Sequence, residues 1–215
     1  PSPSPAKETT SSQKPSGSGS TPTPPPPPTY TATKDSGRFL FAITDDTVPL
    51  ADVDSVLVTM TALAARNSKA QWVPISTVNR TYDLLKLKQE GRLELVLDTS
   101  IPADTYDQMS LTIDSVVIVK NGIAHTAKVP SRIMYIPLSL PLRSGQTAAI
   151  TMDFAADKSL HITNAGQHIF APVVQVNVLG EIQVVQKSGS KVEFFNGLPK
   201  FARSYGMDET GAMRK

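Results

Sequence analysis

The chain contains no cysteine. Disulfides, thiolate metal sites, iron–sulfur clusters and cysteine nucleophiles are therefore excluded within it. It has no apolar run of the ~18 residues that a transmembrane helix needs, so no transmembrane segment is expected. Charge of one sign is lacking too. Twenty-one basic side chains stand against 19 acidic ones, a net charge of +2, and this near-balance makes no electrostatic case for nucleic acid. Aromatic residues are only 6% of the chain. Trp72, the one tryptophan, and Tyr30, Tyr82, Tyr106 and Tyr135 are scattered along the sequence and read as too dispersed for a sugar-binding face. No Gly-x-Ser-x-Gly elbow occurs, and no glycine-rich phosphate loop lies between a strand and a helix. The expectation is a protein that is not an enzyme.

Proline is plentiful but confined. Ten of the 18 prolines fall in the first 28 residues, among serine, threonine and glycine. Residues 1–37 cannot bury enough apolar surface to offset their ordering entropy, and read as an extended tail or linker. Pro24–Pro28 is a polyproline II run. Twenty-eight residues in that form reach roughly 85 Å. A start at Pro1, without Met or leader, is expected of a mature, processed chain.

Beyond the tail, apolar residues alternate with polar ones at period two. Arg38–Thr44 puts Phe39, Phe41 and Ile43 on one face. Val53–Leu63, Gln71–Thr77, Leu93–Leu97 and Asp107–Lys120 follow as strands. Leu84, Leu85 and Leu87 predict a short helix within Tyr82–Glu90. Asn121-Gly122 predicts a tight hairpin into Ile123–Val129, since both positions tolerate positive φ. Arg132–Leu142 carries Pro137 and Pro141 and reads as an edge strand. Thr147–Phe154, Leu160–Thr163 and His168–Leu179 are further strands, and Gly180–Gln186 with Lys191–Phe195 forms a hairpin. From Asn196 the pattern dissolves. The predicted fold class is all-β, mainly antiparallel: a β-sandwich with one short helix. The boundaries are a tail over 1–37, a sandwich over 38–179, a terminal hairpin over 180–197 and a C-terminal tail over 198–215.

The succession Gly37-Arg38-Phe39, Thr44-Asp45, Trp72, Tyr82-Asp83-Leu84-Leu85, Ile101-Pro102-Ala103-x-Thr105-Tyr106-x-Gln108 and Asp153-Phe154-x-x-x-Lys158-Ser159-Leu160-His161-Ile162 resembles the DUF4382 family. The family is an uncharacterised domain of bacterial and archaeal surface proteins and lipoproteins. The resemblance runs from about Gly37 to Val178. It implies a sandwich of immunoglobulin or transthyretin kind, lying outside the cytoplasm, and it supplies no catalytic residue.

Three readings of function follow. The first is a structural protein of the cell surface, assembling into a fibre or layer. In it Tyr30, Thr31, Ala32 and Thr33 of one subunit add as a strand to an open edge of the next, so the expected partner is a second copy. The second is a monomeric anchored domain on a proline-rich stalk. The third is an adhesion module for cell-surface glycans or calcium. Asp45, Asp46, Asp52 and Asp54 are the candidate calcium ligands, because loop carboxylates can supply the six to eight oxygens that Ca²⁺ takes. Their spacing fits no EF-hand, and strand-end turn chemistry with solvated charge is the preferred reading. Asp153 and Asp157 are a second, fainter carboxylate pair. His161 and His168 with a carboxylate are a candidate for a transition metal, though a structural hydrogen bond is the preferred reading of His161.

Overall fold

The computed structural model describes residues 35–45, 50–77, 79–90, 93–208 and 210–215. In chain order the first elements are β1 (Ser36–Asp45), β2 (Val53–Arg66), β3 (Trp72–Ser76), β4 (Arg80–Asp83), α1 (Leu84–Glu90), β5 (Leu93–Pro102) and β6 (Asp104–Lys120). Next come β7 (Ile123–Ala127), β8 (Ile133–Leu142), β9 (Thr147–Phe154), α2 (Ala156–Ser159), β10 (Leu160–Ile162) and β11 (His168–Phe170). The last are β12 (Val173–Gly180), β13 (Val184–Ser188), β14 (Lys191–Phe195), β15 (Leu198–Met207) and β16 (Met213–Arg214).

The fold is all-β, as the alternation predicts. An eight-stranded sheet runs β13-β14-β5-β1-β9-β12-β15-β16. A six-stranded sheet is built on β2 and β6, with β3 and β4 along the outer side of β2 and β7 and β8 along the outer side of β6. Both sheets contribute to one core. Phe39, Phe41, Ile150, Met152, Val174 and Val176 come from the large sheet, and Val56, Val58, Leu111, Ile113, Met134 and Ile136 from the small one. β8 shows why the alternation was readable: Met134, Ile136, Leu138 and Leu140 are buried while Ile133, Tyr135, Pro137 and Ser139 face out.

β1 departs from that simple pattern, being buried on both faces. It lies mid-sheet, antiparallel to β5 and parallel to β9. Strands covered on both faces carry continuous apolar runs, and Phe39-Leu40-Phe41-Ala42-Ile43 is such a run. Its outward residues Leu40 and Ala42 pack with Leu95, Ala149, Ile182 and Val192 in a second cluster. The hairpin of β13 and β14 thus covers the outside of the large sheet. Gly37 is the second residue of β1, and nothing larger fits there: a Cβ would lie 2.6 Å from the Leu142 side chain and 2.9 Å from the Arg143 carbonyl.

The turn at Asn121-Gly122 forms as predicted, with φ of 49° and 75°. Three readings need correction. His168–Leu179 is not one strand. Pro172 has no N–H for a ladder, and the chain breaks there between β11, which pairs with β10, and β12, which pairs with β9. Tyr82 belongs to β4, so the first helix starts at Leu84, and a second helix, α2, follows β9. Residues 198–215 are not a plain tail, since Leu198–Met207 is a ten-residue strand along β12. Its sequence hid this because its exposed residues include Pro199, Lys200, Ala202, Arg203 and Ser204, and β12 supplies most of the apolar contact.

Candidate interaction surface

The candidate calcium ligands go separate ways. Asp45 is buried, and its Oδ1 accepts a hydrogen bond from the Ala156 N–H at 3.3 Å. It caps the start of α2 from across the fold, a use of carboxylates at helix N-termini. Asp52 is exposed in a turn with φ of 60°. The exposed Asp54 accepts from the Gly122 N–H at 2.8 Å, tying β2 to the β6–β7 turn. Asp46 lies outside the described residues. Among the described residues no three His, Asp or Glu side chains converge as metal ligands.

The segment after β9 is held by a hydroxyl. Ser159, fully buried, donates to the Ala155 carbonyl at 2.7 Å and accepts from the Val173 N–H at 2.9 Å. His161 is exposed, and its partner across the β10–β11 hairpin is Ile169. His168 instead stacks on His125 of β7, with ring centroids 4.6 Å apart. Partial burial, then the nearby His125 and Lys120, hold the His168 imidazolium below its usual pKa. The hairpin also bonds to the chain after β7, through Lys128 N–H to the His168 carbonyl at 2.9 Å and Phe170 N–H to the Lys128 carbonyl at 2.8 Å. Beside it lies a cleft of about 580 Å³ lined by Lys128, His161, Ile169, Ala171, Met207 and Asp208. Asp208 is committed to the β15–β16 turn, accepting from Thr210, Ala212 and Arg214.

On the small sheet the structure brings together two rings that the sequence keeps 63 residues apart. Trp72 of β3 and Tyr135 of β8 meet with centroids 5.6 Å apart and planes inclined at 51°. They are 41% and 49% exposed. The ladder explains the meeting. Pro74, Ala64, Ser110 and Tyr135 form one row across β3, β2, β6 and β8, and Trp72, Arg66, Gln108 and Pro137 form the next. Ala64 and Ser110 are small, so the large rings reach over them. The β2–β3 turn is fixed by the Asn67 side chain, whose Oδ1 accepts from the Lys69 N–H at 3.0 Å and the Gln71 N–H at 2.9 Å. Next to Trp72, Arg66 grips Asp107 with two bonds of 2.8 and 3.0 Å. That pairing raises the arginine pKa and lowers the Asp107 carboxyl below its usual range. Of the aromatics that look scattered in the sequence, Trp72 and Tyr135 thus meet, while Tyr82 and Tyr106 are buried and Tyr30 lies outside the described residues. Only the register of four strands reveals the pair.

The outer face of the large sheet carries a different constellation. Asp98 of β5 is fully buried and held by Arg38 through bonds of 2.9 and 2.8 Å, and by Lys187 of β13. Burial alone would raise its pKa, but the bonds from Arg38 and Lys187 outweigh that and hold it below the carboxylate range. Lys191 of β14 bridges Glu90 of α1 and Glu94 of β5 in the same region. These charges staple the hairpin down.

Edges are the remaining feature. β16 pairs only with Gly206 and Met207 of β15, so β15 is open on that side from Leu198 to Tyr205 among the described residues. Tyr205 anchors the strand through its hydroxyl, which donates to the Pro137 carbonyl at 2.6 Å. Tyr30, Thr31, Ala32 and Thr33, the proposed strand donor, lie outside the described residues. No helix among the described residues is long and apolar enough to cross a membrane.

A family model described as a domain of unknown function, DUF4382, matches residues 36–172. No curated protein and no solved structure matches the chain.

Proposed function

The chain belongs to the DUF4382 family, and from that premise we propose that it is a non-catalytic extracellular structural protein that assembles with copies of itself into a cell-surface fibre or layer. The observation that supports this reading is the open edge of β15. An unpaired edge presents a row of backbone donors and acceptors to an added strand. Pro199, Lys200 and the bulge at Val178/Leu179 obstruct its first part, which leaves Phe201–Tyr205 as the acceptor. Tyr30–Thr33 of a neighbouring copy is the donor, a segment of about the matching length. The proline run before it sets the reach between subunits.

The test compares the full chain with one lacking residues 1–34, by sedimentation and electron microscopy. The full chain is expected to form filaments or layers and the shortened one to stay monomeric. Identical assembly by both would remove the tail from the mechanism. A full chain that stays monomeric at high concentration would leave an anchored monomer on a stalk as the better account.

A further inference from the structure

We propose that Trp72 and Tyr135 form a saccharide-binding platform that takes a β-1,4-linked chain of pyranose sugars, the C–H face of the sugar lying on the rings. This site is independent of the assembly reading. The two rings touch, stand 41% and 49% exposed, and sit on a sheet face whose described residues on β2, β6 and β8 are half-buried or exposed. Aromatic faces carry partial negative charge, and an all-equatorial pyranose presents axial C–H groups as its complement. The inclination of 51° makes a shallow cradle, suited to a twisted chain more than to a flat lattice.

The surroundings select the occupant. Arg66 and Asp107 hold each other in a fixed bidentate pair on the next row, with Gln108 opposite Arg66. Ser110 and Thr112 add hydroxyls on the same face. A wholly apolar partner would strip water from these groups and give nothing back, which is costly. A sugar chain has an apolar face and a hydroxyl rim, so it satisfies both parts. Bases also stack on rings, but a nucleic acid needs cations for its phosphates, and here Arg66 is already neutralised by Asp107. The β2–β3 turn, locked by Asn67, holds Trp72 in place before any ligand arrives, which lowers the ordering cost of binding.

Trp72 is the only tryptophan of the chain, so intrinsic fluorescence reports on this site alone. The full chain is titrated with cellohexaose and with chitohexaose. A saturable spectral shift with at least one of them, at a Kd below about 1 mM, is expected. Tyr135→Ala weakens it by about tenfold. Trp72→Ala, followed by calorimetry because the fluorophore is gone, abolishes it. Both variants keep the parent's circular dichroism and Tm, as exposed rings should. The proposal is overturned by no saturable change with either sugar up to about 10 mM, or by Trp72→Ala binding as tightly as the parent. It is also overturned if the variants instead dissolve a dimer that ignores both sugars, which would make the face a protein interface.

Discussion

Asp98→Asn is the substitution on which the account of the large sheet can be judged most sharply. The carboxylate is fully buried, while Arg38 and Lys187 retain 23% and 33% side-chain exposure. Neutralising it leaves two cations without their counter-charge. Breaking a buried pair from one side costs roughly 3–5 kcal/mol. Both cations can turn partly back to water, so the lower end applies, about 3 kcal/mol. For a chain of this size that is a fall in Tm of roughly 6–12 °C, read by calorimetry or guanidinium unfolding. Lys187→Met should cost about 1 kcal/mol or less, because Arg38 keeps both bonds. Replacing the whole triad, Arg38→Met with Asp98→Leu and Lys187→Met, should cost less than Asp98→Asn alone, since burying three charges is itself expensive. The pH dependence has a definite sign. A carboxyl depressed in the folded state adds stability that is present above its unfolded pKa of about 3.9. That stability is lost as pH falls through the lower folded value. Asp98→Asn should flatten this acid limb. A loss under about 1 kcal/mol for Asp98→Asn, or a triple variant worse than the single one, would refute the staple.

Two further outcomes rest on the segment after β9. Ser159→Ala removes a buried hydroxyl and strands the Val173 N–H that it serves, while the Ala155 carbonyl keeps the Lys158 and Ser159 N–H groups. A loss of about 1–3 kcal/mol is expected in urea unfolding. His168, depressed by burial and by His125 and Lys120, contributes stability that is present above its unfolded pKa of about 6.5 and is lost as pH falls through the lower folded value. His168→Gln should remove that dependence, read as amide exchange of Leu160–Phe170 across this range.

How much of this was legible depends on which neighbour buries each residue. β8 could be read because its own sequence alternates between a core and water. For β1 the inward set Phe39, Phe41 and Ile43 was plain, but the burial of Leu40 and Ala42 requires a hairpin more than 130 positions away. β15 gave too little signal, since a strand whose exposed positions hold Lys200, Ala202, Arg203 and Ser204 resembles a polar tail until β12 lies beside it. The aromatic pair was invisible for a third reason. Alternation tells which face a side chain takes, but not which side chains of distant strands meet on that face. Their meeting depends on the stagger of β3, β2, β6 and β8, and on the bulges that shift it. Register across four strands is not written in any one of them.

The outer faces of the two sheets differ in their cover, and residues beyond the matched region 36–172 take part in it. That region ends before β12, yet Val174, Val176 and Val178 of β12 are buried in the main core, and Ile182 and Val192 help to cover Leu40 and Ala42. The residues after 172 are therefore part of the packing that the earlier strands require. Covering the large sheet fills its outer face with the hairpin, and Asp98 sits inside that contact, so this face offers a partner little besides charged rims. The outward residues of the small sheet stay half-buried or exposed on β2, β6 and β8. Its outer face carries small and hydroxylic side chains at Ala62, Ala64, Ser110 and Thr112, which leave the Trp72 and Tyr135 rings proud of the surface. Under the two proposals recognition lies on the bare side, while the open edge of β15 runs along the sheet and not across it, so sugar binding at the rings and strand addition at the edge would not compete for the same surface.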